Sequence, residues 1–326
     1  MTKDDVLAIL LKSSGYVSGE LISSHLNISR AAVNGAVKAL RADGCVINSV
    51  TNRGYQLISC PDRLFAGDVY SYLDEDRRRT VICLASVDST NNRLKDMIKQ
   101  DIPSGTCMIA NEQTGGRGRM GRAFVSPPNT GIYMSMLIKP TGDLSDMSRI
   151  TAWTAVAVHK AILSACGVTT GIKWVNDLYI GNRKISGILT EMTVESEIGM
   201  VSNVIIGIGI NVNQKQSDFP PELSDIATSI AAASGSKDLS RARLAAEVIK
   251  ELDLMMDNWE SGSDRYIDTY RSNCVTTGRR VTVTNYATGD GKSGIALEVN
   301  DDYSLKVRYD DGTVEDVRSG EVSVKW

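Results

Sequence analysis

Histidine is nearly missing from this 326-residue chain: only His25 and His159 occur. That scarcity argues against an imidazole-rich metal centre and against a Ser-His-Asp hydrolase. The six cysteines, at 45, 60, 83, 107, 166 and 274, are widely scattered with no CxxC pair. They read as reduced, mostly buried thiols rather than a disulfide framework or a zinc knuckle. No apolar run approaches the roughly 18–20 residues a membrane helix requires. The opening MTKDDVLAILLKSSG places acids ahead of a short apolar stretch, unlike a signal peptide. A cytoplasmic protein with no membrane partner is expected. Strong charge of one sign is lacking too, the net being −3. Any catalysis is therefore expected from lysine, arginine, carboxylates and backbone dipoles.

What is present divides into three parts. Residues 1–60 carry six Lys/Arg against four Asp/Glu, so the acidity lies further on. Periodicity predicts a helix over 4–12 (Val6, Ile9, Leu10), a second over about 18–25 (Leu21, Ile22), and a third from the Ser29 cap to about Ala42, closed by Gly44. Val33, Val37 and Leu40 form the buried stripe of that third helix, while Arg30, Asn34, Lys38 and Arg41 share another face. A hairpin follows, with Arg53 near its tip. The pattern is that of a winged helix-turn-helix with operator DNA as partner. A merely solvated polar face is the alternative, weakened because no acid interrupts it. Arg30 and Asn34 would approach base edges and Lys38 or Arg41 phosphates, with Arg53 of the basic wing tip also at the DNA.

Cys60-Pro61 reads as a boundary. Between about 80 and 213, strands follow one another without intervening helices, which predicts an α+β domain on a mixed sheet. Helices are expected over about 90–99, 146–166, 224–233 and 240–260. From 276 to 326, short alternating segments separated by turn signals predict a small β-barrel. The expected units are residues 1–60, 61–275 and 276–326.

The densest stretch is TGGRGRMGR at 114–122, with four glycines and three arginines. Gly116 to Gly121 matches the GxGxxG dinucleotide pattern, but Pro127-Pro128 forbids the helix that should follow, and no acid lies about 20 residues on. The loop is read instead as a lid whose arginines repel one another until an anion orders them, a solvated basic loop being the alternative. Lys173-Trp174-Val175-Asn176-Asp177 and Arg183-Lys184-Ile185-Ser186-Gly187 flank a turn, and Asn-Asp beside lysines suits a triphosphate with Mg²⁺. Asp88-Ser89-Thr90-Asn91 begins a helix, where Ser89 serves either as cap or as ligand for a polar head. A glycine-rich strand, Gly207-Ile208-Gly209-Ile210, ends in Asn211.

With Ser89-Thr90-Asn91, the GRGR loop, KW-x-ND, KISGIL and GIGIN in this order, the chain resembles the biotin protein ligases, in particular the bifunctional class that also represses the biotin operon. The resemblance spans all three parts. It implies a winged helix, a central ligase domain and an SH3-like C-terminal barrel. It also implies an ATP-dependent reaction that forms biotinyl-5′-AMP and passes biotin to a lysine of a biotin carboxyl carrier protein. Carried over by position, Ser89, Thr90, Asn91, Gln113, Arg117, Gly118, Arg119 and Lys184 would bind biotin. Arg122, Lys173, Asn176, Asp177 and Asn211 would serve ATP, with Asp177 meeting Mg²⁺ through it. Lys184 and Arg119 would be catalytic. A homodimer is expected when biotinyl-AMP is bound. Two departures stand out: Met120 replaces an arginine in GRGRRGR, with Ala123-Phe124 where a tryptophan is usual, and Val175 replaces the proline of KWPND. Activity is expected to survive both. A DNA-binding biotin sensor without turnover and a lipoate-handling relative remain the alternatives.

Overall fold

A computed structural model describes residues 2–325 apart from 62, 75, 76, 78, 79, 140–146, 195–200, 260–262, 285–288, 319 and 320. The chain begins with α1 (Thr2–Lys12), α2 (Gly19–Leu26) and α3 (Arg30–Ala42), then the hairpin β1 (Val46–Val50) and β2 (Gly54–Ser59). Ser18 and Ser29 cap α2 and α3 by accepting from Leu21 N and Ala32 N. Their side chains thus satisfy amide donors that a helix start leaves open. Val33, Val37 and Leu40 are buried as their spacing predicts, against Val6, Leu7, Leu10 and Ile22. Leu21, in contrast, is exposed. Val17 and Tyr55 exchange backbone bonds and add a third strand segment to the wing.

The expectation of reduced thiols throughout is corrected here. Cys45 and Cys60 form a disulfide, while Cys83, Cys107, Cys166 and Cys274 are free. The hairpin explains it: Val46 pairs with Ser59, so the residues just outside that pair lie side by side at its base.

Specific contacts seat the winged unit on the rest of the chain. Arg63 pairs with Asp43, and Phe65 joins the winged core. At α4 (Ala66–Tyr70), which the sequence reading missed, Gly67 lies so close to α1 that a Cβ would be 2.5 Å from Asp4 O. The buried Asn111 side chain accepts from Leu64 N and donates to Leu64 O and Leu84 O, holding the connector to the central sheet.

The central unit comprises β3 (Val81–Leu84), α5 (Thr90–Ile98), β4 (Cys107–Ala110), β5 (Gly131–Ile138), α6 (Met147–Cys166), β6 (Gly171–Lys173), β7 (Asp177–Ile180), β8 (Arg183–Val194), β9 (Val201–Asn211), α7 (Ile230–Ser234), α8 (Arg241–Asp257) and α9 (Ser263–Asn273). Its sheet runs β3-β4-β5-β9-β8-β7-β6, with β3-β4 parallel and the other pairs antiparallel. The mixed sheet is as expected. Alternate side chains face opposite layers: Cys107 and Ile109 join the large core shared with α6 and α8, while Met108, Leu137 and Ile205 join the smaller cluster around Leu94 of α5. The helix expected over 224–233 shrinks to α7, because residues 226–228 are drawn out alongside Lys184. Helix α9 was not anticipated.

Finally β10 (Arg280–Thr284), β11 (Gly291–Val299), β12 (Leu305–Tyr309), β13 (Val314–Val317) and β14 (Glu321–Val324) form the expected antiparallel C-terminal sheet in the order β13-β12-β11-β10-β14, with no β13–β14 pairing among the described residues. Trp153 and Trp174 donate their indole N–H groups to Tyr303 OH and Tyr303 O, fastening it to the central unit. Among the described residues no helix is long and apolar enough to cross a membrane.

Candidate active site

A cavity of about 650 Å³ opens on the central sheet, walled by α5, the arginine loop, the β7–β8 hairpin, β9 and the last strand β14. Ser89, Thr90, Asn91, Gln113, Arg117, Gly118, Arg119, Arg122, Lys173, Asn176, Asp177, Lys184 and Asn211 all line it. Residues more than a hundred positions apart are thus brought into one site.

One end is neutral and closely bonded. The Thr90 amide donates to Gln113 Oε1 at 2.9 Å, and Gln113 Nε2 donates to Ser126 Oγ. Ser135, fully buried on β5, donates its hydroxyl to Asn91 Oδ1 and lies 2.6 Å from Thr90 Oγ1. Asn91 Nδ2 in turn donates to Glu191 Oε2 at 2.7 Å. Gly207 permits this, since a Cβ there would fall 2.4 Å from Asn91 Oδ1. Ser89 stands at the N-cap position of α5, yet its side chain caps nothing. It lines the cavity instead.

The other end is charged. Lys184 Nζ pairs with Asp177 Oδ1 at 2.7 Å across the β7–β8 hairpin, where Gly187 gives the lysine room. Burial pulls the Lys173 ammonium below the ordinary lysine range, against the pull of Asp177 and with the repulsion of Lys184. An anion there would push it back up. Asn211 Nδ2 is held by Thr228 O, and Asn176 Nδ2 by Ile188 O. The Trp174–Val175 peptide is cis.

The loop between these ends has bonds of its own. It is a closed hairpin, with Phe124 N bonded to Gly116 O and Gly118 N to Arg122 O. No helix of dinucleotide-binding type follows it. Its arginines reach separate protein partners. Arg117 donates to Asn92 Oδ1 at 2.6 Å and reaches Glu191, Arg119 donates to Asn176 Oδ1, and Arg122 pairs with Glu321 of β14. Met120 sits at the tip with φ 60° and is exposed. Phe124 lies against Gly209, where a Cβ would meet its ring at 2.5 Å.

Ser135, Glu191 and Glu321 were missed by sequence reasoning. Ser135 carried a weak signal as a lone hydroxyl within the apolar run GIYMSMLI. The two glutamates carried none.

On α3, Arg30, Asn34 and Lys38 are exposed and have no polar side-chain partner among the described residues. Arg41, on the same face, turns instead to the wing, donating to Ile47 O and Ser49 Oγ at 2.6 Å each. Arg53 stacks over Tyr16 at 4.6 Å.

Two family models match this chain. The model of the biotin/lipoate A/B protein ligase family matches residues 83–211, and that of a helix-turn-helix domain matches residues 2–56. The bifunctional ligase/repressor BirA of Bacillus spizizenii is 38% identical over 250 residues, 76% of this chain and 76% of its own length. The protein of the same description from Escherichia coli K12 is 31% identical over 254 residues, 78% of this chain and 76% of its own. The biotin protein ligase from Aquifex aeolicus in complex with biotin and ATP matches with a TM-score of 0.65 and 27% identity, over 76% of this chain and 98% of that one.

Proposed function

The chain belongs to the family of bifunctional biotin ligase/repressors, and from that premise we propose that it joins biotin to ATP and also represses transcription. The enzyme forms biotinyl-5′-AMP with release of pyrophosphate, then transfers biotin to a lysine of a biotin carboxyl carrier protein. The observation that carries this reading is the division of the cavity into a neutral hydrogen-bonding end at Ser89–Asn91 and a cationic end at Lys173 and Lys184, with the arginine loop between them.

In this reading the head of biotin lies against Ser89, Thr90 and Gln113, with Arg117 and Gly118 over it. Its carboxylate oxygen attacks the α-phosphorus, and the bond to pyrophosphate breaks. Lys184 and Arg119 stand beside the two anions as they approach, which is where fixed cations lower a barrier most. Arg122, Lys173, Asn176 and Asn211 serve the nucleotide. In the second step the carrier lysine's amine attacks the carbonyl carbon of the anhydride, AMP leaves, and the amine sheds a proton to water. No covalent enzyme intermediate is needed. Asp177 suits Mg²⁺, because Oδ1 is a buried carboxylate oxygen with no hydrogen bond apart from its ion pair to Lys184. Bound with ATP, the ion would neutralise phosphate charge.

The winged unit, residues 1–60, reads operator DNA, residues 61–275 carry the chemistry, and residues 276–326 close the cavity through β14. Both partners, carrier and operator, place the protein in the cytoplasm. Dimerisation with biotinyl-AMP bound completes the proposal. The Leu189–Val194 half of β8 supports it, having β9 on one side and no strand on the other among the described residues.

Biotin-dependent exchange of pyrophosphate into ATP is the direct test. Purified protein with Mg²⁺ and biotin should exchange, and Lys184→Ala should lower the rate by about a hundredfold or more. Absence of exchange in the unaltered protein refutes the reading.

A further inference from the structure

Glu191 lies outside every motif of the sequence, yet it occupies the point where two walls of the site meet. It projects from β8 against α5, and three groups converge on its carboxylate. Asn91 Nδ2 bonds Oε2 at 2.7 Å, Lys95 Nζ bonds Oε1 at 2.6 Å, and Arg117 lies 3.4 Å from both oxygens. The Arg117 guanidinium is anchored at the same time on Asn92 Oδ1 at 2.6 Å. Asn91 belongs to the floor of the neutral end, and Arg117 is the first arginine of the loop that covers it.

We propose that Glu191 is the positioning residue that couples the head-group pocket to the arginine loop, fixing Asn91 with one oxygen and holding Arg117 closed over the bound intermediate with its charge. The two tasks differ in kind. Orienting an amide needs only an acceptor, which a neutral side chain supplies. Holding a guanidinium at 3.4 Å in competition with a lysine needs the negative charge. Lys95 therefore acts against the loop: each share of the carboxylate it takes is lost to Arg117. The distances support that ranking, since Lys95 has the shorter contact while Arg117 relies on Asn92 as well.

This inference rests on the ligase reading, and its test separates the two. The preformed adenylate complex, made from biotin, ATP and Mg²⁺, is chased with excess unlabelled biotin and the release rate is measured, beside the biotin affinity without ATP. Glu191→Gln keeps the acceptor and removes the charge, so biotin affinity should stay within about twofold while adenylate release accelerates about three- to fivefold, as expected for losing one partly exposed pair. Glu191→Ala should worsen both. In an Arg117→Ala background Glu191→Gln should add nothing further, because its effect runs through that arginine. Lys95→Met offers an arm independent of how the Glu191 variants fold: it should slow release. Release from Glu191→Gln at the unaltered rate, an undiminished effect in the Arg117→Ala background, or Lys95→Met releasing at or above the unaltered rate each overturns the proposal. If the unaltered protein forms no adenylate, the ligase reading falls and this inference with it.

Discussion

Gly207→Ala places one methyl group where the head-group pocket has no space for it. The new Cβ would lie 2.4 Å from Asn91 Oδ1 and 2.9 Å from its Cγ and Nδ2. Asn91 is only 4% exposed and is held at both ends, by Ser135 and by Glu191. Neither the strand nor the amide can yield without breaking something: Gly207 pairs on both sides, with Ser135 and with Leu189. Rotating Asn91 away loses one neutral hydrogen bond, about 1 kcal/mol, and one to a charged group, about 1.5–3 kcal/mol. Alanine in a strand interior returns roughly 0.5–1 kcal/mol relative to glycine. The net loss is about 2–3 kcal/mol, or a fall in Tm of roughly 5–10 °C for a domain of this size. With Asn91 displaced into the pocket, biotin affinity should fall about tenfold or more, the consequence of about 1.4 kcal/mol. Gly209→Ala is the comparison. Its Cβ would meet the Phe124 ring at 2.5 Å, but Phe124 is half-exposed at the base of the loop and can swing out. That variant should keep its Tm within a degree or two and release the adenylate faster (less than about 0.5 kcal/mol of stability is at stake). Calorimetric titration with biotin and thermal unfolding measure both quantities. Unchanged Tm and unchanged biotin affinity in Gly207→Ala would show that Asn91 is not clamped, and the account of the neutral end would fail with it.

The remaining predictions address other parts of the chain. Thiol titration of the denatured, unreduced protein should find four reactive cysteines, and Cys45→Ser should destabilise the winged unit by about 3 kcal/mol, as expected for opening a loop of this length; six reactive thiols would exclude the bond. Met120→Arg adds a cation at an exposed, left-handed tip position that methionine already tolerates. It should leave Tm within the equivalent of about 0.5 kcal/mol and slow adenylate release, and faster release would contradict a charge-driven lid. Lys38→Ala should weaken operator and non-specific DNA alike and reduce the salt slope by about one, whereas Arg41→Ala, which frees Ile47 O and Ser49, should lower Tm as well. Burial raises the Glu191 pKa, but Lys95, Asn91 and Arg117 outweigh it and hold the group below the ordinary glutamate range. Its folded pKa being depressed, its contribution is complete above the unfolded value and is lost as pH falls through the folded one. The stability difference between the unaltered protein and Glu191→Gln should therefore be flat above about pH 5 and shrink below it; a difference that grows on acidification would reverse the assignment.

Legibility followed the distance over which each feature is specified. The third helix could be read because Val33, Val37 and Leu40 repeat with its own period and Ser29 begins it, and the structure buries all three. The arginine loop, KWVND and the Lys184 segment could be read because each packs its chemistry into a few consecutive residues. What escaped is set by pairing across the sheet. Ser135 matters because β5 and β9 place it opposite Gly207, beside Asn91, and nothing within GIYMSMLI states that register. Cys45 and Cys60 meet because a hairpin folds back on itself, a fact that their spacing of 15 does not encode. The helix expected over 224–233 failed for a similar reason: its propensity lost to backbone pairing between Lys184 and residues 226–228.

The arginine loop shows the two kinds of information acting together. Its composition implies a segment that should repel itself and need an anion for order. The folded chain sends each arginine to a different place: Arg117 to α5 and β8, Arg119 to the residue before β7, Arg122 to the last strand of the C-terminal unit. Separation dilutes the repulsion, because partners in three elements hold the guanidinium groups apart at a cost that no single element bears. Two of these contacts, at Arg117 and Arg122, are at least 40% exposed on the arginine side. Exposed pairs of this type contribute about 1 kcal/mol or less each. A loop held closed by several weak ties, rather than one strong one, can open as those ties are lost one at a time. That arrangement suits an enzyme that must keep a reactive anhydride from water and yet surrender it to another protein's lysine.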